Sequence, residues 1–405
     1  MLHNLVSRIR QFRRQRGQRQ QRANLDHTDA AALATQAAPD PTRLLLVRND
    51  SIGDYLLYRP WLRRLSEVAR GRGQRITLLA NALWAPLARA WDADLVEAVV
   101  AVDFGRFITD LAYRAEVLRG VGMVGFGEVV YPLHVREAAV ENFIRFMRAP
   151  VRVASQGEHR TGPWFEVLDA GYTRRLPTTR AVLFEYDRNR EFFENWRAGG
   201  GLSSLELSAA EPPTPLRLPD AVLAAGAAEA ATNGPYVVLF PGASARQKRW
   251  PAGHFAQLAG ALHQRYGSYY RLVLAGSPTD AADATRISKA AGPAVPLDNR
   301  CGQTNLPGLA ALVAGAHLLI SNDTVAAHLA AQAGTPCLVL LMGENYGKFF
   351  PYPPHLLQAP CRCLFPPSQE ARFARGDFTP PATDPDMGQI APTRVMFAVG
   401  EMMRW

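Results

Sequence analysis

Short apolar runs alternate with amphipathic stretches along most of this chain. Leu44 to Val47 form an apolar run within Arg43 to Arg48, which predicts a buried strand. Leu57, Trp61, Leu65 and Val68 then recur at three- to four-residue spacing, with Arg59, Arg63 and Arg70 directed elsewhere, as on a one-faced helix. Arg75 to Ala80 reads as a strand, Ala82 to Trp91 as a helix, and Val96 to Val102 and Glu128 to Tyr131 as short strands. His134 to Arg148 reads as one helix, with Val140, Phe143, Ile144 and Met147 as its apolar stripe. Gly199-Gly200-Gly201 and Pro212, Pro213, Pro215 and Pro219 punctuate the chain.

A second alternation follows. Strands are expected at Tyr236 to Phe240, Arg271 to Ala275, His317 to Ile320 and Cys337 to Met342. Helices are expected near Ala252 to Tyr266, Asp280 to Ala290, Leu306 to Gly315, Thr324 to Ala333 and Pro392 to Arg404. Strand–helix alternation of this kind predicts α/β architecture with parallel sheets, and 405 residues suit two domains better than one. The expected division is a tail and linker over 1–41, a first domain over 42–200, a linker over 201–220 and a second domain over 221–388. A terminal helix over 389–405 is expected to pack back on the first domain.

Charge changes the picture at one end only. Arg8, Arg10, Arg13, Arg14, Arg16, Arg19 and Arg22 precede the first acidic residue, Asp26, and supply seven of the net +9. Leu2, Leu5, Val6, Ile9 and Phe12 recur at helical spacing among them. Two readings stand: a basic amphipathic helix for an anionic membrane surface, or a solvated Arg-rich extension. No aromatic residues interleave with the arginines as a nucleic-acid stacking surface needs, so nucleic acid is not expected as a partner. Residues 23–41, rich in Ala, Asp, Thr and Pro, read as a linker. No run reaches the roughly 18 apolar residues of a membrane span, and the N-terminus lacks the apolar core of a secretory signal, so a cytoplasmic protein is expected. Cys301, Cys337, Cys361 and Cys363 lack zinc-site spacing and read as reduced thiols.

Candidate chemistry clusters where strands run into helices, the edge at which open α/β sheets bind ligands. Ser51-Ile52-Gly53-Asp54 follows the first strand. Gly53 permits close backbone approach, and Asp54 is either an acid on the helix dipole or a general base. Pro241 to Pro251 follows a later strand and contains Gly242, Ser244 and Lys248. Lys248, just before a helix, suits a phosphate or a departing diphosphate, although a solvated surface lysine fits the sequence equally well. Asn322-Asp323-Thr324 reads as a helix N-cap whose free N–H groups could cradle phosphate. His328 lies four residues after Thr324 on the same face, as a ligand or as a buried structural histidine. Asp280, after Gly276-Ser277-Pro278, sits where an acid could bind ribose hydroxyls. No paired-acid motif and no His pair supports a metal, and no Gly-x-Gly-x-x-Gly supports hydride transfer.

In order, these segments resemble the family-nine glycosyltransferases, the heptosyltransferases of bacterial lipopolysaccharide assembly. Leu44 to Pro60 is similar to the family's opening strand and Ser-Ile-Gly-Asp turn. Pro241 to Pro251 is similar to its Pro-Gly-…-Lys-x-Trp-Pro loop, and Gln303 to Leu306 with Leu309 to Leu312 to the helix before its last motif. Asn322 to His328, with Ala330 to Pro336, resembles its Asn-Asp-(Ser or Thr)-Gly-x-x-His segment. The match runs over residues 43–345.

The resemblance implies a GT-B fold: two Rossmann-like domains facing across a cleft, the acceptor on the first and the nucleotide sugar on the second. It implies inverting transfer without an essential metal or other cofactor, from an ADP-heptose to an acidic glycolipid at the inner membrane face. Asp54 matches the family's base, Lys248 and Thr324 its diphosphate contacts, and Asp323 a sugar-hydroxyl contact. Thr304 matches the adenine position. Ser51, Gly53 and Arg59 fall on the acceptor side. Three departures stand out. Val325 replaces the family glycine and narrows the donor space. Arg59 replaces a threonine and adds charge near the acceptor. Cys361 and Cys363 are what is left of a cysteine-richer pattern. The expected function is an inverting glycosyltransferase. A nucleotide-sugar epimerase and a non-catalytic nucleotide-sugar-binding protein are the alternatives.

Overall fold

The computed structural model describes residues 2–158, 160–199 and 216–403, with the main chain alone for 2–16. The described residues divide into two compact units. The first takes 2–51, 58–181 and 186–199; the second takes 52–57, 182–185 and 216–403. The linker expected over 201–220 lies outside the described residues up to 215. Residues 216–219 belong to the second unit: Leu216 N–H donates to Leu356 O (3.1 Å) and Leu218 N–H to Gln332 O (3.0 Å).

Six parallel strands form the sheet of the first unit: β1 (Arg43–Arg48), β2 (Arg75–Asn81), β3 (Ala98–Val102), β4 (Glu128–Tyr131), β5 (Val151–Ser155) and β6 (Arg174–Leu176). Their order is β3-β2-β1-β4-β5-β6. Leu44 to Val47 on central β1 are fully buried, as a strand covered on both faces requires. The helix Ile52–Gly71 follows β1, and its first six residues are counted with the second unit. Two expectations fail here. His134 to Arg148 is not one helix but a short helix Ala138–Glu141 running into a 3-10 turn Asn142–Phe146. Its stripe of Val140, Phe143, Ile144 and Met147 is buried all the same, because the tighter turn still delivers these side chains to the core.

The other failure is at the N-terminus. The helix runs Leu2–Ala32, so residues 23–32 are not a linker. Leu25, Asp29, Ala32 and Leu33 are buried in the first unit. Arg114, itself buried, donates through Nε (2.5 Å) and Nη2 (2.7 Å) to the Asp29 carboxylate, and Asn142 Nδ2 donates to it at 2.8 Å. The chain stays docked past the helix, where Ala37 N–H donates to Gly122 O (2.8 Å). The apolar stripe expected at Leu2 to Phe12 lies outside the described side chains. No helix among the described residues is long and apolar enough to cross a membrane.

The second unit repeats the pattern with β7 (Tyr236–Phe240), β8 (Arg271–Leu274), β9 (Leu297–Asn299), β10 (Leu318–Asn322), β11 (Cys337–Leu340) and β12 (Cys361–Leu364). Their order is β12-β11-β10-β7-β8-β9, all parallel. The C-terminal helix Pro392–Met402 is counted with the second unit. Its buried Val395, Ala398, Val399 and Met402 join the core of the second, with Trp250, Leu258 and Leu262. That face is apolar because the helix closes the sheet's own helical layer. The four cysteines carry free thiols, and Cys337 pairs with Cys361 across the β11–β12 register.

Candidate active site

Three adjacent strands of the second sheet deliver charged side chains from their carboxyl ends. β7 leads to a 3-10 turn Arg246–Lys248, β10 to Asp323, and β11 to Glu344. Strand order reverses between β7 and β10, which makes this the topological switch point where such sheets bind ligands. Lys248 Nζ donates to Asp323 Oδ2 at 3.1 Å and lies 2.6 Å from Glu344 Oε1. Burial disfavours the ammonium, but the two carboxylates outweigh it and hold the lysine above its ordinary pKa. Lys248 is therefore not a solvated surface lysine: its side chain is 20% exposed and its charge is engaged.

The loop carrying Lys248 is pinned at both ends by Asn322, a fully buried residue. Asn322 Nδ2 donates to Pro241 O (2.8 Å), and its Oδ1 accepts from Trp250 N–H (3.1 Å). Arg249 donates to Ala243 O (2.9 Å) and to Asp283 (2.7 Å). Gly242 is small for a packing reason: a Cβ there would lie 2.6 Å from Asp280 Cγ. Asp280 itself is not placed to bind ribose. It is buried, and its Oδ2 accepts from Ser277 N–H (2.9 Å) and Ser277 Oγ (2.6 Å), while Arg249 stands 3.2 Å from Oδ1. Its carboxylate ties two turns of the sheet edge together.

Thr324 caps the helix Val325–Ala333, its hydroxyl accepting from Ala326 N–H at 3.2 Å. Val325 is the first helical residue, and no non-glycine residue among those described has a positive φ. A valine therefore meets no backbone strain where the resembled family has glycine. One turn on, His328 is buried among aromatic side chains. Its Nδ1 lies 2.8 Å from Tyr352 Oη, and its ring packs 4.8 Å from that of Phe350. Burial pushes its pKa down to about 4, partly opposed by the charge of Asp54. The ring is therefore neutral near pH 7. Its Cδ2–Nε2 edge occupies the space beside Gly53, where a Cβ would lie 2.7 and 2.8 Å from those atoms. Gly53 and Asp54, in the first turn of the helix Ile52–Gly71, thus belong to the same unit as Lys248.

The sequence profile of glycosyltransferase family 9 (heptosyltransferase) matches residues 138–359, more than half of the chain. The chain belongs to glycosyltransferase family 9. Among curated proteins, lipopolysaccharide heptosyltransferase 3 of Escherichia coli is 30% identical over 125 residues, 30% of this chain and 36% of that protein. Lipooligosaccharide heptosyltransferase 2 of Haemophilus ducreyi is 32% identical over 126 residues, 30% and 35% of the two chains. The chain thus matches about a third of the length of these relatives. Among solved structures, a family 9 glycosyl transferase from Veillonella parvula superposes with a TM-score of 0.63 at 18% identity, covering 91% of this chain and 98% of the other. An E. coli heptosyltransferase solved with ADP-2-deoxy-2-fluoro heptose gives 0.60 at 20% identity, covering 89% and 99%. At such identities the likeness speaks to the fold, which is the GT-B class.

The other residues expected of a family 9 site fall outside the Lys248 cluster. Ser244 is exposed on the β7 loop. Thr304 follows edge strand β9, two strands from β7, just before Asn305 caps the helix Leu306–Ala314. Ser51 is exposed in the first unit. Arg59 does not add a free charge to an acceptor surface. Its Nε and Nη2 donate to the buried Asp92 carboxylate at 2.8 Å each, and its guanidinium lies 5.1 Å from the Trp91 ring. Glu344 and Tyr352 escaped the sequence reading, which met Asn322 and Arg249 only as members of their motifs. Of the two that escaped, Glu344 carried a signal, since it follows Gly343 shortly after the end of β11. Among the described residues, no group of three or more His, Cys, Asp or Glu side chains is placed to hold a metal ion.

Proposed function

We propose that this family 9 chain is an inverting glycosyltransferase that moves a heptose from an ADP-heptose to a lipopolysaccharide-type acceptor. The observation that carries the reading is the ammonium of Lys248 at the switch point between β7 and β10, on a loop pinned by Asn322. A cation on a rigid loop beside a helix N-terminus suits a diphosphate leaving group. The printed names of the curated relatives, both heptosyltransferases, support the sugar and the acceptor class.

In the proposed reaction Asp54 accepts the proton of an acceptor hydroxyl as its oxygen attacks the anomeric carbon. The bond from that carbon to the diphosphate breaks. Lys248 and the N–H groups at the start of Val325–Ala333 take up the charge that develops on the diphosphate. The cation at the leaving group is the lysine, so the proposal calls for no metal or cofactor.

Calorimetry with ADP and a transfer assay with ADP-heptose test this. Lys248→Ala should weaken ADP binding about tenfold or more, the loss of one charge-assisted contact. Asp54→Asn should bind ADP like the wild type yet lose transfer by a factor on the order of 10². ADP affinity unmoved by Lys248→Ala, or transfer at wild-type rate in Asp54→Asn, would sink the assignment.

A further inference from the structure

Lys248 faces two carboxylates, not one. Asp323 and Glu344 together carry two negative charges against one positive, so the cluster is net negative where the proposed donor brings its diphosphate. Of the two contacts, that of Glu344 is the shorter, 2.6 against 3.1 Å. Glu344 follows Gly343, which turns the chain after β11 with a φ of +92°. That turn has little slack: a Cβ on Gly343 would come within 2.9 Å of Phe373 Cζ. A small pocket lined by Asp323, Asn345, Tyr346 and Phe349 opens beside Glu344. Asn345 Nδ2, 3.4 Å from Glu344 Oε1, is the side-chain donor next in line.

Resting on the donor reading above, we infer that Glu344 is a built-in competitor for the nucleoside diphosphate at Lys248. Its carboxylate makes the contact that a phosphate oxygen of the donor must make. The donor therefore gains the lysine only as Glu344 gives it up, and a departing nucleoside diphosphate is displaced by the same carboxylate. Glu344 thus weakens the hold on donor and product alike and sets the rate of product release. A second acid on the lysine that merely braced the loop would have the opposite effect, since removing it would loosen the cation and weaken binding.

The test is the sign of the change. ADP is titrated calorimetrically into wild type, Glu344→Gln and Glu344→Asp. The Gln side chain keeps the shape and removes the charge, and is expected to tighten ADP about tenfold, less so as salt is raised. The Asp side chain keeps the charge but draws it back by one methylene, and is expected to tighten ADP by a smaller factor. Product-release-limited turnover should fall in Glu344→Gln. ADP bound no tighter by a folded Glu344→Gln overturns the inference. If that variant fails to melt cooperatively, Glu344→Asp decides by the same criterion. Unchanged ADP affinity in Lys248→Ala would instead strike the donor reading itself.

Discussion

Replacing Gly53 with alanine adds one methyl group where the ring of His328 already stands. The new Cβ would lie 2.7 Å from His328 Cδ2 and 2.8 Å from Nε2, against the roughly 3.5–4.0 Å of an unstrained carbon contact. The ring has no easy retreat. It is buried, its Nδ1 is held by Tyr352 Oη at 2.8 Å, and Phe350 packs 4.8 Å away. Overpacking of this size costs about 1–3 kcal/mol. Alanine recovers up to about 1 kcal/mol of helix propensity, because Gly53 sits in the first turn of a helix and its φ is not positive. Central values of about 2 kcal/mol for the clash and about 0.5 kcal/mol for the propensity leave a net loss of about 1.5 kcal/mol. Urea denaturation of Gly53→Ala, His328→Ala and the double variant measures it. The double variant should lose less than the sum of the two by about 1 kcal/mol, since the cavity left by the ring accepts the methyl group. Gly53→Ala as stable as the wild type or more so, the ordinary outcome for glycine in a helix, would refute the argument.

Two further expectations follow from the same structure. Burial holds His328 at about 4 against 6.5 for a free imidazole, so between those pH values the unfolded chain binds a proton that the folded chain refuses. Stability contributed by this group is complete above pH 6.5 and falls as pH drops toward 4, by of order 3 kcal/mol; His328→Asn should flatten that part of the slope in denaturation midpoints, and equal slopes would count against it. Deleting residues 1–22 removes seven arginines from a helix whose first buried residue among the described side chains is Leu25, so binding to anionic vesicles should fall while the fold stays intact; equal co-sedimentation of both forms would make the segment a solvated extension.

The strand–helix alternation was legible because parallel strands buried on both faces read as continuous apolar runs, and β1, β7, β10 and β11 were found that way. Elements with weaker patterns were missed. β6 is three residues with two arginines, and β9 is Leu-Asp-Asn at a sheet edge. Residues 23–32 were misread for a different reason. Their composition is that of a linker, but Leu25, Asp29, Ala32 and Leu33 fall at helical spacing, and the buried Asp29 has its partner in Arg114, 85 residues away. A buried acid looks like a solvated one until its partner is known. The same holds for Arg59, whose charge belonged to Asp92, and for Asp280, whose carboxylate was taken up by its own turn.

The two sheet edges show why motif and role part company. Arg48-Asn49-Asp50 at the end of β1 and Asn322-Asp323-Thr324 at the end of β10 are alike on paper: an Asn-Asp pair where a strand gives way to a helix. In the first unit the polar atoms are largely spent internally. Arg48 is fully buried, donates to Asp50 and to Asn189 Oδ1 (3.1 Å), and lies 3.7 Å from the Tyr58 ring. Asn49 Oδ1 accepts from Tyr131 Oη (2.9 Å), and Asp50 O accepts from Trp84 Nε1 (3.0 Å). In the second unit Asn322 does the same structural work, but Asp323, 15% exposed, and Glu344, 22% exposed, each meet Lys248, 20% exposed, through side chains alone. A cluster held by side chains can exchange one charged partner for another without disturbing the sheet, whereas a buried charge deprived of its partner costs several kcal/mol. The adjustable edge is therefore the one at Lys248, and it suits the ligand exchange proposed above for a reason that strand-end motifs alone do not carry.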